Sequence, residues 1–482
     1  MTTNFDVIIV GAGVSGIGMA CHLEKEFENL NYAVLERRKS IGGTWDLFNY
    51  PGIRSDSDML TFGYDFRPWN GDKTLANGPS IKQYLVDTSR EFKVDEKIIF
   101  ETKVTRANWN SKSKTWEITV DDLETGNTKN YTCNFFIAAS GYYNHDHGYL
   151  PKFKGYDTFK GTIVHPQHWP KDLNYENKRV IVIGSGATAI TIVPSMADKT
   201  SHITMLQRSP TYVYSVPSVD KLALKLRSFL SDKTVYKIVR YRNIMLQQLI
   251  FKLSKKYPER IQKFLLSKIQ RQLGEHYDMK HFTPNYNPWD QRLAAVPDND
   301  LFKAIRNGKA SVVTDHIESF TENGIQLKSG DHLEADIIIT ATGLQLQVLG
   351  GMKLHIDNEP HQLNQKMTYK SVLAQDTPNF AYLFGYTNAS WTLKINIAAS
   401  YLARLIKEMK ERKRTAVIPR TSSESNIDES VLDSLNSGYV KRGGNTLPRQ
   451  GKKLPWRVVH NYKKDKKILK KPIEDQYLEW IP

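Results

Sequence analysis

Cysteine is scarce in this sequence and long apolar runs are absent, and each shortage excludes a class of protein. Only two cysteines occur among the 482 residues, Cys21 and Cys133, and neither belongs to a CxxC pair. This argues against a disulfide scaffold, a thiolate zinc site and a dithiol redox centre, and it favours a reducing, cytoplasmic location. No run of about 18 apolar residues is present, so an ordinary transmembrane helix is not expected. We also predict no metal site.

Positive charge exceeds negative charge, but the excess is confined to two segments. The chain has 67 Lys and Arg against 51 Asp and Glu, a formal net charge of +16. Residues 221–271 contain 14 basic and two acidic residues, and residues 441–471 contain 12 basic residues and a single acid, Asp465. The remainder of the chain is slightly acidic. Any interaction with a polyanion would therefore involve these two segments only.

The N-terminal segment has the pattern of a dinucleotide-binding unit. DVIIVGAGVSGIGMACHLEKEF predicts a strand, a glycine turn and a helix, and the following YAVLERR predicts a second strand. Gly11, Gly13 and Gly16 form GxGxxG directly after the first strand, and Glu36 lies 20 residues past Gly16. The helix N-terminus can hold a pyrophosphate on its free amides, and Glu36 can accept hydrogen bonds from a ribose diol.

The pattern recurs in RVIVIGSGATAI, where Gly184, Gly186 and Ala189 take the places of the three glycines. The next predicted strand, in HITMLQRSPTY, ends at Arg208 and Ser209. An acid at this place would repel a ribose 2′-phosphate, whereas an arginine and a hydroxyl can bind it. The second unit is therefore predicted to prefer NADPH to NADH.

Two further apolar strands, in NFFIAASGYYN and ADIIITATGLQ, are predicted to return the chain beside the nucleotide units. The second strand ends at Thr342 and Gly343, which we assign to cofactor binding. Two dinucleotide units with such returns predict an α/β flavoprotein with two Rossmann-like domains, one for FAD and one for NADPH. A reduced flavin must then pass its electrons on. The missing cysteine pair excludes a disulfide acceptor, and oxygen, a carrier protein and a quinone stay open.

The predicted NADPH domain is inserted into the FAD domain and itself contains a helical insertion. The predicted bounds are an FAD-binding domain at 1–147 and 334–430, an NADPH-binding domain at 148–216 and 285–333, a basic helical insertion at 217–284, and a basic C-terminal tail at 431–482.

The basic insertion shows apolar residues every three or four positions with Lys and Arg between them. Two interpretations stay open: a solvated helical insertion, or a face that binds a membrane surface or a partner. Nucleic acid is not predicted as a ligand, because the segment has charge but no recognised binding module. The tail leaves the same choice open and is expected to wrap over the surface.

Between the two units lies FKGTIVHPQHWP, which predicts neither a strand nor a helix. It matches FxGxxxHxxxWP, the fingerprint of Baeyer–Villiger monooxygenases, at every defined position: Phe159, Gly161, His165, Trp169 and Pro170. GGTWDLFNYPGIRSD matches that family's longer pattern through Gly42, Gly43, Trp45, Tyr50, Pro51, Gly52 and Asp56. The sequence thus resembles the Baeyer–Villiger monooxygenases, especially their ethionamide-activating type, from near residue 5 to about residue 470.

The resemblance implies an enzyme that uses FAD and NADPH to insert one oxygen atom from O2 next to the carbonyl of a ketone. It assigns the catalytic arginine to Arg292 and the acid that orients it to Asp56, and it places Gly43, Trp45 and Asp56 at the cofactor. In this family the oxygen is carried as a negatively charged C4a-peroxyflavin, and a fixed cation nearby stabilises the negative charge. Sulfides and thioamides are implied as further substrates through S-oxygenation.

One residue departs from the family pattern, and another has two possible roles. Many family members have Lys immediately before the arginine, where it helps to bind the 2′-phosphate, but here the residue is Gln291. The NADPH preference therefore depends more on Arg208 and Ser209. His165 is either a catalytic base or a hinge residue of the connection between the domains, and the hinge is favoured.

Three functions have to be separated. The leading one is the Baeyer–Villiger monooxygenase, and the second is a flavin-containing oxygenase of sulfur or nitrogen atoms. The Trp-Pro ending and the Asp56 pattern count against the second. The third is an NADPH oxidase or reductase attached to a membrane by its basic helices.

Overall fold

Short strands alternate with helices along the chain, as the two glycine patterns predict. The computed structural model describes residues 3–291, 293–421, 426–432, 438–473 and 475–482. Arg292 therefore lies outside the described residues. The strands are β1 (Thr3–Val10), β2 (Tyr32–Leu35), β3 (Ile98–Ile99), β4 (Thr102–Asn110), β5 (Thr115–Asp122), β6 (Thr128–Ala138), β7 (Thr162–Val164), β8 (Arg179–Ile183), β9 (His202–Gln207), β10 (Val213–Val216), β11 (Ala294–Pro297), β12 (Ala310–Thr314), β13 (Ile317–Thr321), β14 (Gly324–Leu327), β15 (His332–Glu334), β16 (Ile337–Ile339), β17 (Lys353–Ile356), β18 (Glu359–Pro360), β19 (Thr368–Tyr369), β20 (Leu373–Ala374), β21 (Phe380–Tyr382), β22 (Ala416–Pro419), β23 (Asn426–Ser430), β24 (Arg449–Gly451) and β25 (Leu478–Ile481).

The helices differ in how they begin. They are α1 (Val14–Glu26), α2 (Thr44–Leu47), α3 (Met59–Phe62), α4 (Gly78–Glu91), α5 (Ala187–Met196), α6 (Lys221–Arg227), α7 (Asp232–Lys256), α8 (Pro258–Leu273), α9 (Asp300–Arg306), α10 (Trp391–Glu411), α11 (Gly438–Gly443) and α12 (Tyr462–Leu469). Asn77 caps α4 and Asp220 caps α6 through side-chain oxygens that accept backbone N–H groups. Helices α1 and α5 begin at Gly13 and Gly186 without a side-chain cap.

The larger sheet has eleven strands and contains the first glycine turn. Its main path runs β18–β17–β4–β5–β6–β1–β2–β3, and β21, β20 and β19 are attached beside β6. Strand β1 pairs in parallel with both β2 and β6, and α1 packs between this sheet and α10. The apolar run of β1, Val7 to Val10, is buried, as expected for a parallel strand covered on both faces.

The smaller sheet has five parallel strands in the order β12–β9–β8–β16–β7 and contains the second glycine turn. Strand β16 pairs with β8 and β7, so its residues belong to this sheet. The return of the chain to the larger sheet therefore comes after Ile339 and not at 334, where the sequence analysis placed it. The apolar strand of ADIIITATGLQ completes the second nucleotide unit before the chain leaves it.

The helical insertion lies between the parallel pair β10 and β11 and is anchored to the segment that carries α3. Arg240 of α7 is buried, and its Nη1 donates to the backbone oxygens of Leu60, Thr61 and Gly63 at 2.8–3.0 Å. Tyr236 donates to the Tyr64 carbonyl at 3.0 Å. These bonds fix α7 against the larger sheet's side of the molecule. None of the helices in the described ranges has the length and apolar character needed to cross a bilayer.

The described part of the tail enters the core, although a surface wrap was expected. Strand β25 pairs antiparallel with β22, and Trp456 and Leu469 are buried in the cluster that contains α1 and α10. Asp465 of α12 accepts a hydrogen bond from Tyr386 at 2.7 Å and pairs with Lys394 at 3.2 Å. The side chains of Lys394 and Asp465 are only 4% and 5% exposed. Burial lowers the pKa of Lys394, and the charge of Asp465 opposes that shift.

Replacing Asp465 by Asn is expected to destabilise the fold, because the change leaves Lys394 buried without its counter-charge. Removing one partner of a buried ion pair costs about 3–5 kcal/mol. The free energy of unfolding, taken from a denaturant titration, is the measurement. The matched control is Glu322→Gln, since the Lys160–Glu322 pair is exposed and such pairs contribute at most about 1 kcal/mol. Equal losses in the two variants would contradict the role of the buried pair.

Candidate active site

The first glycine turn leaves a helix N-terminus open to a ligand. Gly11 follows β1 with φ +104°, a conformation that favours glycine, and α1 begins at Gly13. A Cβ on Gly16 would lie 1.8 Å from the carbonyl oxygen of Gly11, so α1 can approach β1 only with glycine here. The uncapped amides of α1 and its dipole form the place where a pyrophosphate binds in this kind of turn.

Glu36 ends the second strand beside this turn. Its Oε2 accepts the N–H of Ala12 at 2.7 Å, and its Oε1 accepts the N–H of Arg38 at 2.9 Å. Burial raises the pKa of Glu36, while these two backbone bonds lower it. The carboxylate is thus held at the glycine turn, where a ribose would lie when a dinucleotide occupies the helix N-terminus.

A separate turn at Gly42 and Gly43 packs against the first glycine turn. Gly43 has φ +55°, and a Cβ built on it would lie 3.0 Å from the Cα of Gly13. Asp46, just beyond, accepts hydrogen bonds from Lys82, Ser40 and Arg38 at 2.5–2.6 Å. Burial alone would raise the pKa of Asp46, but these bonds lower it. These ion pairs hold the Gly42–Gly43 turn against β2 and α4, and its backbone is in van der Waals contact with Gly13.

Both turns line a cavity of about 950 Å³, a volume typical of sites for cofactors and small ligands. Among the residues predicted for the FAD side, the lining contains Gly11, Gly13, Glu36, Gly43, Trp45 and Asp56. Gly16 stands behind the lining and sets its shape. The structure therefore brings together, around one cavity, residues that the sequence analysis took from two separate motifs.

Asp56 lies at the part of the cavity that Tyr214 also lines. Burial and the nearby negative charge of Asp56 raise the pKa of Tyr214. The predicted partner of Asp56, Arg292, lies outside the described residues, so their contact stays a prediction. Trp289 and Leu293, which flank position 292 in the chain, both line the same cavity.

The second glycine turn of the Rossmann type, at β8 and α5, lies apart from this cavity. Gly184 has φ +136°, and a Cβ there would lie 2.4 Å from the Ala341 oxygen. Ala189 is buried in the same strand–helix contact. Arg208 and Ser209 are exposed directly after β9, and their contact with a 2′-phosphate stays a prediction. The residues of this turn are not among the described lining of the cavity.

The connecting stretch FKGTIVHPQHWP contains strand β7, which was not predicted, and otherwise forms a tight joint. Nδ1 of His165 accepts the N–H of Gln167 at 3.2 Å, and the Gln167 amide donates to the Asn144 oxygen at 2.9 Å. Burial lowers the pKa of His165. A Cβ on Gly161 would lie 2.4 Å from the Asp336 oxygen.

The other residues of this motif serve packing. Phe159 is buried, Trp169 packs against the core of the second nucleotide unit, and Pro170 follows it at the surface. Thr342 donates to the Tyr149 oxygen at 2.6 Å, and the oxygen of Gly343 accepts the Tyr149 N–H at 3.0 Å. The described lining of the cavity contains none of these residues, and the assignment of Thr342 and Gly343 to cofactor binding stays a prediction.

The helical insertion forms the far wall of the cavity, which was not predicted from the sequence. Gln247, Ile250 and Leu253 of α7 and Ile261, Phe264, Leu265, Lys268, Ile269 and Gln272 of α8 line it. Their spacing showed that the helices are amphipathic, but it could not show which face meets the cavity. Trp391 also lines the cavity and donates from its indole nitrogen to Ser15 at 2.9 Å. Among the described residues no cluster of His, Cys, Asp and Glu is arranged to hold a metal ion.

Two dinucleotide turns on two sheets, with a cavity at the first, define the class of two-dinucleotide-binding flavoproteins. Solved structures of this fold include an oxidized steroid monooxygenase bound to NADP (TM-score 0.80, 21% identity, 99% of this chain and 100% of the other). They also include OTEMO in complex with FAD and NADP (0.72, 22%, 87% of each chain) and an open form of cyclohexanone monooxygenase (0.77, 18%, 100% of each). They confirm the predicted fold.

The chain belongs to the flavin-binding monooxygenase-like family, whose profile matches residues 5–374. It is 54% identical to the putative FAD-containing monooxygenase MymA of Mycobacterium tuberculosis, over 100% of this chain and 98% of that protein. It is 50% identical to the probable FAD-binding monooxygenase AlmA of Acinetobacter baylyi (98% and 94%) and 48% identical to the FAD-containing monooxygenase EthA of M. tuberculosis (100% and 98%). The family predicted from the motifs is confirmed.

The glycine turns allow a test of the site's construction. Gly16→Ala is expected to abolish flavin binding, because the new Cβ would collide with the Gly11 oxygen and separate α1 from β1. The measurements are flavin absorbance of the purified protein and circular dichroism. Gly186→Ala is the matched variant, because no described atom lies within 4 Å of the added Cβ. It should fold and keep its flavin while binding NADPH more weakly. A Gly16→Ala protein with a full complement of flavin would refute the assignment.

Proposed function

We propose that this protein is an NADPH- and FAD-dependent monooxygenase of the Baeyer–Villiger type. It converts a ketone, O2, NADPH and a proton into an ester or lactone, water and NADP⁺, and it oxygenates sulfides and thioamides as a second activity. The observation that carries the proposal is the cavity, which runs from the first glycine turn past Asp56 to apolar walls on α7 and α8. Membership of the flavin-binding monooxygenase-like family supports it.

The residues present fit the two cofactors. The cavity reaches the uncapped N-terminus of α1 beside Gly13 and Gly43, where a pyrophosphate would bind, and Glu36 stands where an FAD ribose would be bound. Arg208 and Ser209 are exposed after β9, beside the uncapped start of α5, and would bind the 2′-phosphate of NADPH. When bound, NADPH supplies a hydride to FAD, and the reduced flavin activates O2.

Asp56 is assigned a positioning role and Arg292 a catalytic one. A guanidinium stays charged at every working pH, so Arg292 would stabilise the negative charge that develops on oxygen as it is transferred. Asp56, at the wall of the cavity, would hold that guanidinium by a charge-assisted hydrogen bond. The apolar side chains of α7 and α8 would exclude bulk water, which strengthens this electrostatic interaction.

His165 is assigned to the joint between the two nucleotide units and not to the chemistry. It caps its own turn, and the described cavity lining does not include it. Gln167, its neighbour, links the joint to the Asn144 carbonyl at the end of the first unit. We propose that this joint holds the NADPH unit in register with the FAD unit while the cofactor moves.

The reaction can be tested by isotope labelling. Holoenzyme incubated with NADPH, oxygen-18 gas and a linear ketone is expected to yield ester that carries one labelled oxygen, measured by mass spectrometry. A matched thioether run under the same conditions gives the ratio of ketone to sulfur oxygenation. Hydrogen peroxide formed in proportion to NADPH, with no product from either substrate, would identify an NADPH oxidase and overturn the proposal. Thioether product without any ester would identify a heteroatom oxygenase.

The catalytic assignment has its own test. In the Arg292→Ala variant, NADPH is expected to reduce the flavin at a near-normal rate, measured by flavin absorbance in the absence of oxygen. The rate of ester formation should fall at least about 100-fold. The rate of ester formation by Asp56→Asn should lie between those of Arg292→Ala and the parent. Arg306→Ala, an exposed arginine on α9, is the matched control and should keep its activity. Normal ester output from Arg292→Ala would refute the role of that residue.

A further inference from the structure

Exposed apolar side chains are concentrated on the helical insertion. Of the thirteen large apolar or aromatic side chains that are exposed in the described ranges, ten lie on or directly beside α6, α7 and α8. They are Leu222, Leu224, Phe229, Ile238, Tyr241, Leu246, Leu249, Ile250, Tyr257 and Phe264. Only Leu123, Leu150 and Leu454 lie elsewhere. Such a concentration of exposed apolar side chains in one part of a globular protein indicates a binding surface.

Helix α7 is apolar on the side that faces away from the protein. Ile238, Tyr241, Met245 and Leu249 follow at intervals of three and four residues, so they share one face. Ile238, Tyr241 and Leu249 are exposed by 45%, 62% and 51%. The opposite face of α7 contains the buried residues that anchor the helix, among them Arg240. The outward stripe is therefore an addition to the core-facing stripe that an ordinary surface helix needs.

Basic side chains surround this stripe. Within the described residues, no acid lies at ion-pair distance from Lys233, Lys237, Lys252, Lys256, Lys263 or Lys268. Lys256 and Arg260 lie over the ring of Tyr257 at 5.0 and 5.6 Å, and Lys268 lies over Phe264 at 5.6 Å. Long basic side chains that lie along apolar groups keep their charges free for an anionic partner.

The second basic segment reaches the same surface. Tyr462, at the start of α12, packs in one cluster with Ile244 of α7, and the Lys463 ammonium lies 5.9 Å from the centre of the Tyr241 ring. The two basic segments, more than 150 residues apart in the chain, are thus neighbours in the fold. We call the outward surface of α6, α7 and α8, together with Lys463, the basic apolar face.

The cavity of the active site opens on this face. Ile250 and Phe264 line the cavity and are also exposed, by 47% and 56%. Lys268 lines it as well and is exposed. The mouth therefore lies between α7 and α8, among the apolar side chains of the basic apolar face.

We infer that the basic apolar face binds a bilayer that contains anionic lipid, with the mouth of the cavity turned towards the hydrocarbon. Lysines and arginines around an apolar stripe match the two layers of such a surface, because the charges meet the headgroups and the apolar side chains enter the acyl boundary. The phosphates of a nucleic acid would match the charges alone. A second copy of the chain would bring two strongly basic surfaces together, which is unfavourable. Membrane binding is independent of the proposed function. Only the delivery of apolar substrates from the bilayer to the cavity rests on the proposed function.

Vesicle sedimentation of the holoenzyme tests the binding. The protein is expected to sediment at low salt with vesicles of mixed phosphatidylcholine and phosphatidylglycerol and to remain in solution with phosphatidylcholine alone. The double variant Lys252→Glu/Lys256→Glu should lower the partition coefficient at least about tenfold. Ile238→Ser/Leu249→Ser should lower it as well, although its charge is unchanged. Lys112→Glu and Leu123→Ser, exposed residues far from the insertion in the chain, are the matched controls and should bind as the parent does.

Insertion of the stripe can be measured separately, because the two native cysteines are buried and burial raises the pKa of both thiols. A Leu249→Cys variant can therefore be labelled at one site with an environment-sensitive dye. Its emission is expected to shift to the blue on addition of the anionic vesicles. The same dye on a Leu123→Cys variant should show no shift. None of the substituted positions lines the cavity, so oxidation of a water-soluble ketone should be unchanged in every variant.

Three outcomes would overturn the inference. The first is failure of the parent to sediment with anionic vesicles at low salt. The second is loss of binding in Lys252→Glu/Lys256→Glu together with full binding of Ile238→Ser/Leu249→Ser and no dye shift in the labelled Leu249→Cys protein, because that describes simple adsorption to a polyanion. The third is a stable dimer in solution that Ile238→Ser/Leu249→Ser dissociates, because the face would then be covered by a second copy. If the parent protein binds the vesicles but does not oxidise any ketone, that result would count against the proposed function alone.

Discussion

The position of one buried guanidinium determines how the helical insertion meets the rest of the molecule. Arg240 donates to the carbonyl oxygens of Leu60, Thr61 and Gly63, which follow Asp56 by only a few residues. A buried charge without acceptors is costly, so α7 is stable in a narrow range of positions. Asn243 and Gln247, one and two turns further, donate to Asp58 at 3.1 and 2.8 Å and limit that range further. The far wall of the cavity, its mouth and the outward stripe of α7 all follow from this arrangement.

The two walls of the cavity differ in their chemistry because they come from different structural units. The wall near β1 contains the glycine turns and Glu36, whose carboxylate is held by backbone amides, and the ion pairs of Asp46 support this wall from outside the lining, so it is rigid and polar. The wall on α7 and α8 is mainly apolar and opens at exposed side chains. Under the proposed function, the first wall would hold the cofactor and the second would admit an apolar substrate. The tail supports this division, since Tyr386 lines the cavity and donates to the buried Asp465 of α12.

Local motifs were sufficient to predict much of the fold and the FAD side of the site. A glycine with positive φ, an uncapped helix start and an acid at the end of the next strand lie within about 30 residues, so their spacing in the chain reflects their spacing in space. Gly11, Gly13, Glu36, Gly43 and Asp56 accordingly line one cavity. Features that depend on distant segments were not predictable in this way. The pairing of β16 with β8, the edge strand β7 and the burial of Asp465 all arise from contacts between residues far apart in the chain.

By itself the sequence determined the family, the two nucleotide units and the type of each cofactor, because these depend on short patterns of glycine, charge and hydrophobicity. The tertiary structure alone decided which residues of these patterns share a cavity and which, such as Thr342 and His165, lie outside its described lining. It also decided which face of the amphipathic α7 is turned outward. Periodicity defines the faces of a helix, but only buried contacts such as those of Arg240 select the one that packs inward.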